Sequence, residues 1–570
     1  MLKSFARIRL NLLLKSQAFG AVGALVWCVA DMIVAGNIVG VDALAGIAAT
    51  VPVTIGAQFV ARLVYCGSGY LFARCQGAFD REGAKRAVGL SLEMAVAVGL
   101  ATYAAMFFGR DLYLDLMGIT GGAREQAVAY WRWMSVFCAL NPLTMTMWRL
   151  VYADGEAVTT AVGDLLAPPL TVGFSILFTK MTQSASGAAL GTLVAGIIAD
   201  STMMTHVFRK TNQIVPKWNF SFGGVRELVT YSLTDSSTKL CQCAFMTVIN
   251  KLVVFSAGVA YLPVVSVIAL VLELRALLDR IGDAYMPIAE MYLGEKNVPR
   301  VRELCRYSLV VALVAGFAFS ALVAVGAPQI VALYGIPRGD VFDRGVTALQ
   351  ICALVLPLSS ILSFIGSHYL VIGRVRLSVV ETVFGEFVLT ASCAAVFCFV
   401  WGLDALWVGL PFGGALTLGA VTAYGRFCDA AHSTMLIPPE TASAVNFSFV
   451  PSPEKVVEVR NEAEFFLRAR GVRDETLNRI MLLVEECAMA VADDNGDSGK
   501  NVFVETSFVI DDASVRMVVR DTGRIKDITD QDAQVSNLRS FVIAGLMSSY
   551  EDRRYLNTIG CNRAAFVFNK

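Results

Sequence analysis

Residues up to about Arg426 form one long series of apolar stretches, and the rest of the chain switches to the short apolar/polar periods of a water-soluble domain. Each stretch runs to about 20 residues, the length at which a helix crosses a hydrocarbon core roughly 30 Å thick. The apolar runs between charge clusters predict twelve spans: 19–39, 51–73, 88–108, 131–152, 160–179, 186–207, 228–254, 258–278, 307–325, 347–372, 378–401 and 405–425. The fold class is therefore a polytopic α-helical membrane protein followed by a small α+β domain. The expected divisions are six-helix lobes at 1–215 and 216–430, a linker at 431–453 and the soluble domain at 454–570.

Composition agrees with a lipid bilayer as the surroundings: 56% of residues are hydrophobic and 16% charged, against about one-quarter charged in ordinary soluble domains. The formal net charge is zero, so no basic excess points to nucleic acid. Most of the thirteen cysteines sit inside apolar stretches without CxxC or Cys/His spacing, and they read as small buried thiols. The basic N-terminus (Lys3, Arg7, Arg9, Lys15) precedes a first span that carries Asp31 and no small-residue cleavage site, so that stretch reads as a span rather than a leader. Lys and Arg then set the orientation. The even-numbered connections hold Arg74, Arg81, Lys85 and Arg86, then Arg209, Lys210, Lys217 and Arg226, then Lys296, Arg300, Arg302 and Arg306, then Arg374 and Arg376. By the positive-inside rule, both ends of the bundle are expected in the cytoplasm.

An internal repeat relates the two sets of six spans. Gly40-Val41-x-x-Leu44 recurs as Gly258-Val259-x-x-Leu262, Gly77 matches Gly294, and Tyr152 with Gly155 matches Tyr369 with Gly373, all at an offset of 217 to 218 residues. An even number of spans per lobe makes the repeat parallel. Two such lobes imply a central cavity able to open to either side.

Asp31 with Ala35-Gly36, then Gly40-x-x-Ala43-Leu44-Ala45, the run Gln76-Gly77-Ala78-Phe79-Asp80-Arg81-Glu82 and Ala153-Asp154-Gly155 resemble the multidrug and toxic compound extrusion (MATE) transporters. The resemblance covers about the first 430 residues. It implies that the lobes exchange small molecules, mostly organic cations, for sodium ions or protons across the lipid bilayer.

A carboxylate at mid-membrane costs about 2.5–3.5 kcal/mol on insertion scales, so each calls for a partner or a task. Asp31 matches the first-helix acidic position at which the resemblance places the coupling cation; a neutralising pair with Arg62 at similar depth is the structural alternative. Asp235 and Lys239 are four apart on span seven and share a helix face, the spacing of an ion pair or of cavity-lining charges. Asp200 and Glu273, like Glu381 and Glu386, lie near the cytoplasmic side as further candidates, and Asn250 resembles a polar second-lobe position, with a helix-to-helix hydrogen bond as its alternative role. The fifth span departs from the resemblance: Thr171, Ser175 and Thr179 stand where an Asn and an Asp are usual. Hydroxyls coordinate sodium but accept no proton at physiological pH, so the choice of ion stays open.

In the tail, Ile480, Leu483, Val484, Cys487 and Val491 fall on one helix face, and Val502, Val504 and Thr506, the turn at Asp511, then Val515, Met517 and Val519 predict a hairpin. Leu482-Leu483-Val484-Glu485-Glu486, Asp521-Thr522-Gly523 and Asn557-Thr558-x-Gly560-x-Asn562 resemble the histidine-kinase-like (GHKL) ATP-binding fold, especially its anti-sigma-factor kinase branch. That resemblance assigns Glu485 or Glu486 as the catalytic carboxylate, Asp521 and Gly523 to adenine, and Asn537 to the lid. It also exposes a gap, because Met489 or Ala490 stands where an Asn holds magnesium, and neither a thioether nor a methyl group replaces an amide oxygen. His206, His368 and His432 stand apart in sequence, with no phosphoacceptor hairpin. The expectation is a cation-coupled exporter whose degenerate nucleotide-binding tail docks a cytoplasmic regulatory protein. The alternatives are a membrane sensor signalling through the tail, by docking or serine kinase activity, and a flippase for a lipid-linked precursor.

Overall fold

The computed structural model describes residues 4–77, 81–154, 157–209, 212, 214–218, 224–429, 443–496, 502–524, 538–547, 553–558 and 561–570. Every predicted span is helical. The first lobe contains α1 (Phe5–Ile38), α2 (Val41–Gly77), α3 (Arg81–Met117), α4 (Gly121–Ala153), α5 (Ala157–Thr182) and α6 (Ala185–Met204). The second contains α7 (Val225–Ala257), α8 (Leu262–Gly294), α9 (Val298–Leu333), α10 (Asp340–Ala353) running into α11 (Val355–Val371), α12 (Val375–Val383) joined by a π turn at Phe384–Val388 to α13 (Leu389–Trp401), and α14 (Leu403–Asp429). Among the described residues, ten helical stretches are long and apolar enough to cross a membrane, which makes this a multi-pass membrane protein.

The repeat read from sequence has a conformational cause at its glycines. Gly40 and Gly258, equivalent in the two lobes, have φ of +117° and +86°, a backbone region that L side chains rarely adopt. Each ends one helix and turns the chain into the next. The equivalents Gly77 and Gly294 are the last residues of α2 and α8. The lobes meet through α2 against α7 and α1 against α8, two contacts that exchange under the repeat. Equivalent helices also face lipid. The apolar windows of α3 and α9 are each only 22% buried, with Leu100, Phe107 and Phe108 on one and Val314, Phe317 and Leu322 on the other exposed for lipid to cover.

The tail is an α+β unit of β1 (Ser443–Phe449), α15 (Pro453–Arg468), α16 (Asp474–Asn495), β2 (Val504–Ile510), β3 (Ser514–Asp521), α17 (Leu538–Met547), β4 (Arg553–Thr558) and β5 (Cys561–Asn569). Its antiparallel sheet has the order β1-β2-β3-β5-β4, so the stretch read as linker contributes an edge strand, with Ser443 opposite Ile510 and Phe449 opposite Val504. Asp511 Oδ1 accepts from the amides of Ala513 and Ser514 and closes the β2–β3 hairpin. The predicted face of α16 is buried on the sheet throughout.

The other sheet face is also covered. Polar residues alternate with the apolar ones along β2 and β3, and β2 is nevertheless buried at all seven positions because the α8–α9 turn covers that face. Glu505 of β2 pairs with Arg520 of β3 at 3.0 Å and with Arg300 of α9 at 2.8 Å, and accepts from the hydroxyl of Tyr292. Glu295, in the α8–α9 turn, pairs with Arg520 and with Arg563 of β5. Asn297 and Asn446 exchange amide bonds beside them. The Phe5 amide at the start of α1 donates to Ser448 Oγ of β1, which also accepts from Arg300. Strand β1 thus touches one end of both lobes.

Candidate functional site

Asp31 projects from α1 into the first lobe and is 6% exposed. Tyr130 of α4 donates to its Oδ2 at 3.0 Å, while Ser175 of α5 and Thr192 of α6 donate to its Oδ1 at 3.0 and 2.7 Å. A carboxylate taken out of water is thus met by three hydroxyls from three helices, each replacing part of its lost hydration. Arg62 is not among its partners, so the neutralising pair considered from sequence does not form. Thr171, Ser175 and Thr179 stack at four-residue intervals along α5 and are fully buried, yet only Ser175 reaches Asp31; the hydroxyls of Thr171 and Thr179 have no hydrogen-bond partner among the described residues. Gly191 on α6 brings that helix against the Ser175 backbone, where a Cβ would collide.

Asp31 forms one wall of a cavity of about 110 Å³ between the lobes, toward which Gln58 (α2), Asn141 (α4), Lys239 (α7) and Glu273 (α8) also face. Lys239 donates to Gln242 Oε1 at 2.8 Å. The Asp235 side chain lies outside the described residues. Of the other predicted residues, Asn250 donates to the Ala48 carbonyl at 3.0 Å, a bond between lobes rather than a cavity contact. Asp200 sits apart from Asp31, with Asp164 for a neighbour. Asp154, of the motif closing α4, bonds His206 at 2.7 Å, and His368 bonds Tyr285 at 2.7 Å, so these two histidines, isolated in sequence, have partners in space. Tyr130 and Thr192 carried no sequence signal: they lie about 100 and 160 residues from Asp31 and look like ordinary span residues.

In the tail, Asp521 Oδ1 accepts from the Gly523 amide at 2.8 Å and from Asn562 at 2.9 Å, and burial pushes its carboxyl above the usual range. A Cβ at Gly523 would meet the Asn495 amide. Glu485 pairs with Arg460 at 2.8 Å, Glu486 with Arg539 at 3.1 Å, and Arg539 also with Asp493. Met489 and Ala490 pack into the apolar core of the tail. The predicted nucleotide groups are thus gathered at one end of the sheet, but each is engaged by its own chain. Asn537 lies outside the described residues.

The MatE family profile matches residues 18–172. No curated protein matches the chain. Among solved structures, the bundle is similar to an inward-facing multidrug resistance MATE family transporter of the MOP superfamily, with a TM-score of 0.67 and 20% identity over 72% of this chain and 96% of that one. An outward-facing MATE family structure gives a TM-score of 0.59 with 21% identity over 75% and 96%. A MOP superfamily transporter from Pyrococcus furiosus, described as having a binding pocket of reverse polarity, gives 0.60 with 21% identity over 75% and 96%. Residues of the membrane bundle thus adopt the fold of MATE transporters of the MOP superfamily, two six-helix lobes around a cavity.

Proposed function

We propose that the protein is a secondary transporter of the MATE type, exporting a small organic molecule in exchange for sodium ions or protons, with its tail in the cytoplasm. The carrying observation is Asp31, a buried carboxylate held by three hydroxyls at the wall of the inter-lobe cavity. A group so placed changes its charge, or its bound cation, at little structural cost, and its exposure to one side or the other tracks the lobes. The test is efflux of a fluorescent organic cation such as ethidium from liposomes containing the full chain, driven in turn by proton and sodium gradients. Asp31→Asn should abolish gradient-driven efflux while the protein remains folded; unchanged efflux removes Asp31 from coupling.

The tail in this reading regulates rather than powers transport. Its nucleotide-like groups are occupied by Arg460, Arg539, Asn562 and Asn495, and its sheet is fixed to the α8–α9 turn and to the start of α1. A tail bound more tightly to one arrangement of the lobes need contribute only about 1–3 kcal/mol to bias their equilibrium. The same contact serves a sensor, in which a cavity ligand alters the tail's exposed surface for a cytoplasmic protein. Gradient-independent binding without flux would favour that second reading.

A further inference from the structure

The inter-lobe cavity holds more charge than Asp31 alone. Lys239 of α7 and Glu273 of α8 face it from the second lobe, yet the two form no ion pair with each other. Lys239 gives a hydrogen bond to the neutral Gln242 side chain at 2.8 Å, one of the three that an ammonium can donate. Glu386 lies within its electrostatic reach, but that carboxylate is paired with Arg275. Glu273 has neither an ion-pair nor a hydrogen-bond partner among the described residues, and the same holds for the side chains of Gln58 and Asn141, which face the cavity from the first lobe. The α2 hydroxyls beside them differ, since Thr50 and Thr54 donate to carbonyls of their own helix.

Charges inside a membrane bundle are costly alone, so opposite ones usually pair. Here they stay apart around a shared space. Asp31 is met by three hydroxyls and is assigned above to the coupling cation. The charges that remain in the lining, Lys239 and Glu273, then sum to zero. A cargo with one positive charge suits Glu273 but is repelled by Lys239, and a cargo with one negative charge meets the reverse. A molecule carrying both charges satisfies both. The rings point the same way: sites built for a lone organic cation enclose it in aromatic faces, whereas this lining offers Phe137 and Tyr130, whose hydroxyl is bonded to Asp31.

We propose that the cavity selects a small zwitterion, with Lys239 receiving its carboxylate and Glu273 its ammonium group, while Gln58 and Asn141 bond the polar atoms between. This rests on the reading of Asp31 as the coupling group, which removes that carboxylate from the cargo's share. Lys239 is the residue that sets specificity, because it adds an anionic group to what the cavity demands. A monocation still enters, against the field of Lys239, and is held about 10- to 100-fold less tightly than its zwitterionic counterpart, the worth of one charge-assisted hydrogen bond.

Equilibrium dialysis of the full chain in lipid nanodiscs, at neutral pH and without an ion gradient, tests this with matched probes: phenylalanine, phenethylamine and hydrocinnamate, then tryptophan, tryptamine and indolepropionate. Each set keeps one ring system and changes the charges. Wild-type protein should retain the zwitterion of each set about 10- to 100-fold better than the amine or the acid. Lys239→Gln should remove the advantage over the amine, and Glu273→Gln the advantage over the acid. Each variant keeps the other discrimination, which shows that its cavity is intact. Wild-type protein that retains the amines as well as the zwitterions, or retains no zwitterion, overturns the proposal, and so does a folded Lys239→Gln protein with wild-type selectivity. Gradient-driven efflux without zwitterion selectivity faults this inference alone. Zwitterion selectivity without gradient-driven efflux upholds it and removes the transporter, leaving the cavity as the ligand site of a sensor.

Discussion

Arg520 of β3 and Glu295 of the α8–α9 turn form an ion pair in which neither side chain is more than 1% exposed, across a boundary between a membrane bundle and a soluble domain. Arg520 also lies over the ring of Tyr292, 4.6 Å from its centroid, and pairs with Glu505. A buried pair of this kind adds little net stability by itself, since desolvation offsets attraction, but removing one partner strands the other. Arg520→Met should therefore destabilise the docked tail by about 3–5 kcal/mol. Limited proteolysis of the β1 region and thermal unfolding of the full chain measure this, and unchanged protection would mean that Arg563 and Arg300 alone suffice to hold Glu295 and Glu505.

Gly258 has φ +86° and ψ 175°, and a Cβ there meets nothing within 4 Å. Substitution to alanine therefore adds backbone strain without a clash, an expected loss of about 1–3 kcal/mol. Gly294→Ala, at a helical end with open space around it, serves as the neutral control. Equal unfolding midpoints for the two variants would contradict the left-handed turn.

Along α5, Ser175 and Thr171 should separate. Ser175→Ala removes a donor to Asp31 and should reduce gradient-driven efflux, whereas Thr171→Val replaces an unpartnered hydroxyl by a methyl group of similar shape. Stability of the Thr171→Val protein should be unchanged or rise, by up to about 1–3 kcal/mol. A large loss of stability would show that the hydroxyl has a partner when the protein is in its bilayer.

The raised carboxyl of Asp521 gives the tail a pH dependence of defined sign. Burial disfavours the ionised form in the folded state, so stability from this group is greatest at acid pH and falls as pH climbs through the ordinary carboxylate range to the raised value. Both bonds it accepts use Oδ1, which Asn retains. Asp521→Asn should therefore flatten the unfolding profile from about pH 4 upward and leave the protein at least as stable at neutral pH. A strongly destabilised variant would show that the carboxylate charge itself is required.

Titration of the full chain with ATP and magnesium should give neither binding heat nor hydrolysis, because Arg539 occupies Glu486 and apolar side chains stand at the magnesium-holding position. Magnesium-dependent turnover lost on Glu486→Gln would make the tail a working enzyme.

Sequence alone determined the features that local composition sets: the spans, because hydrocarbon accepts only long apolar helices; the two lobes, because Gly40 and Gly258 mark equivalent turns; the α16 face and the β2–β3 hairpin, because burial imposes periods of 3.6 and 2; and Asp31 as the anomalous charge. It did not determine partners. Tyr130, Ser175 and Thr192 converge on Asp31 only once α4, α5 and α6 pack around α1, and Lys239 donates to Gln242, a partner that its sequence context did not single out. Glu505, Ser507 and Arg520 alternate with the apolar positions of the hairpin and form a second, polar core of the sheet, which the pattern did not foretell because alternation records which side is polar but not what covers it. Local pattern fixes a residue's surroundings to first order, apolar or polar, whereas the choice of counter-charge depends on contacts between residues far apart in the chain and belongs to tertiary structure.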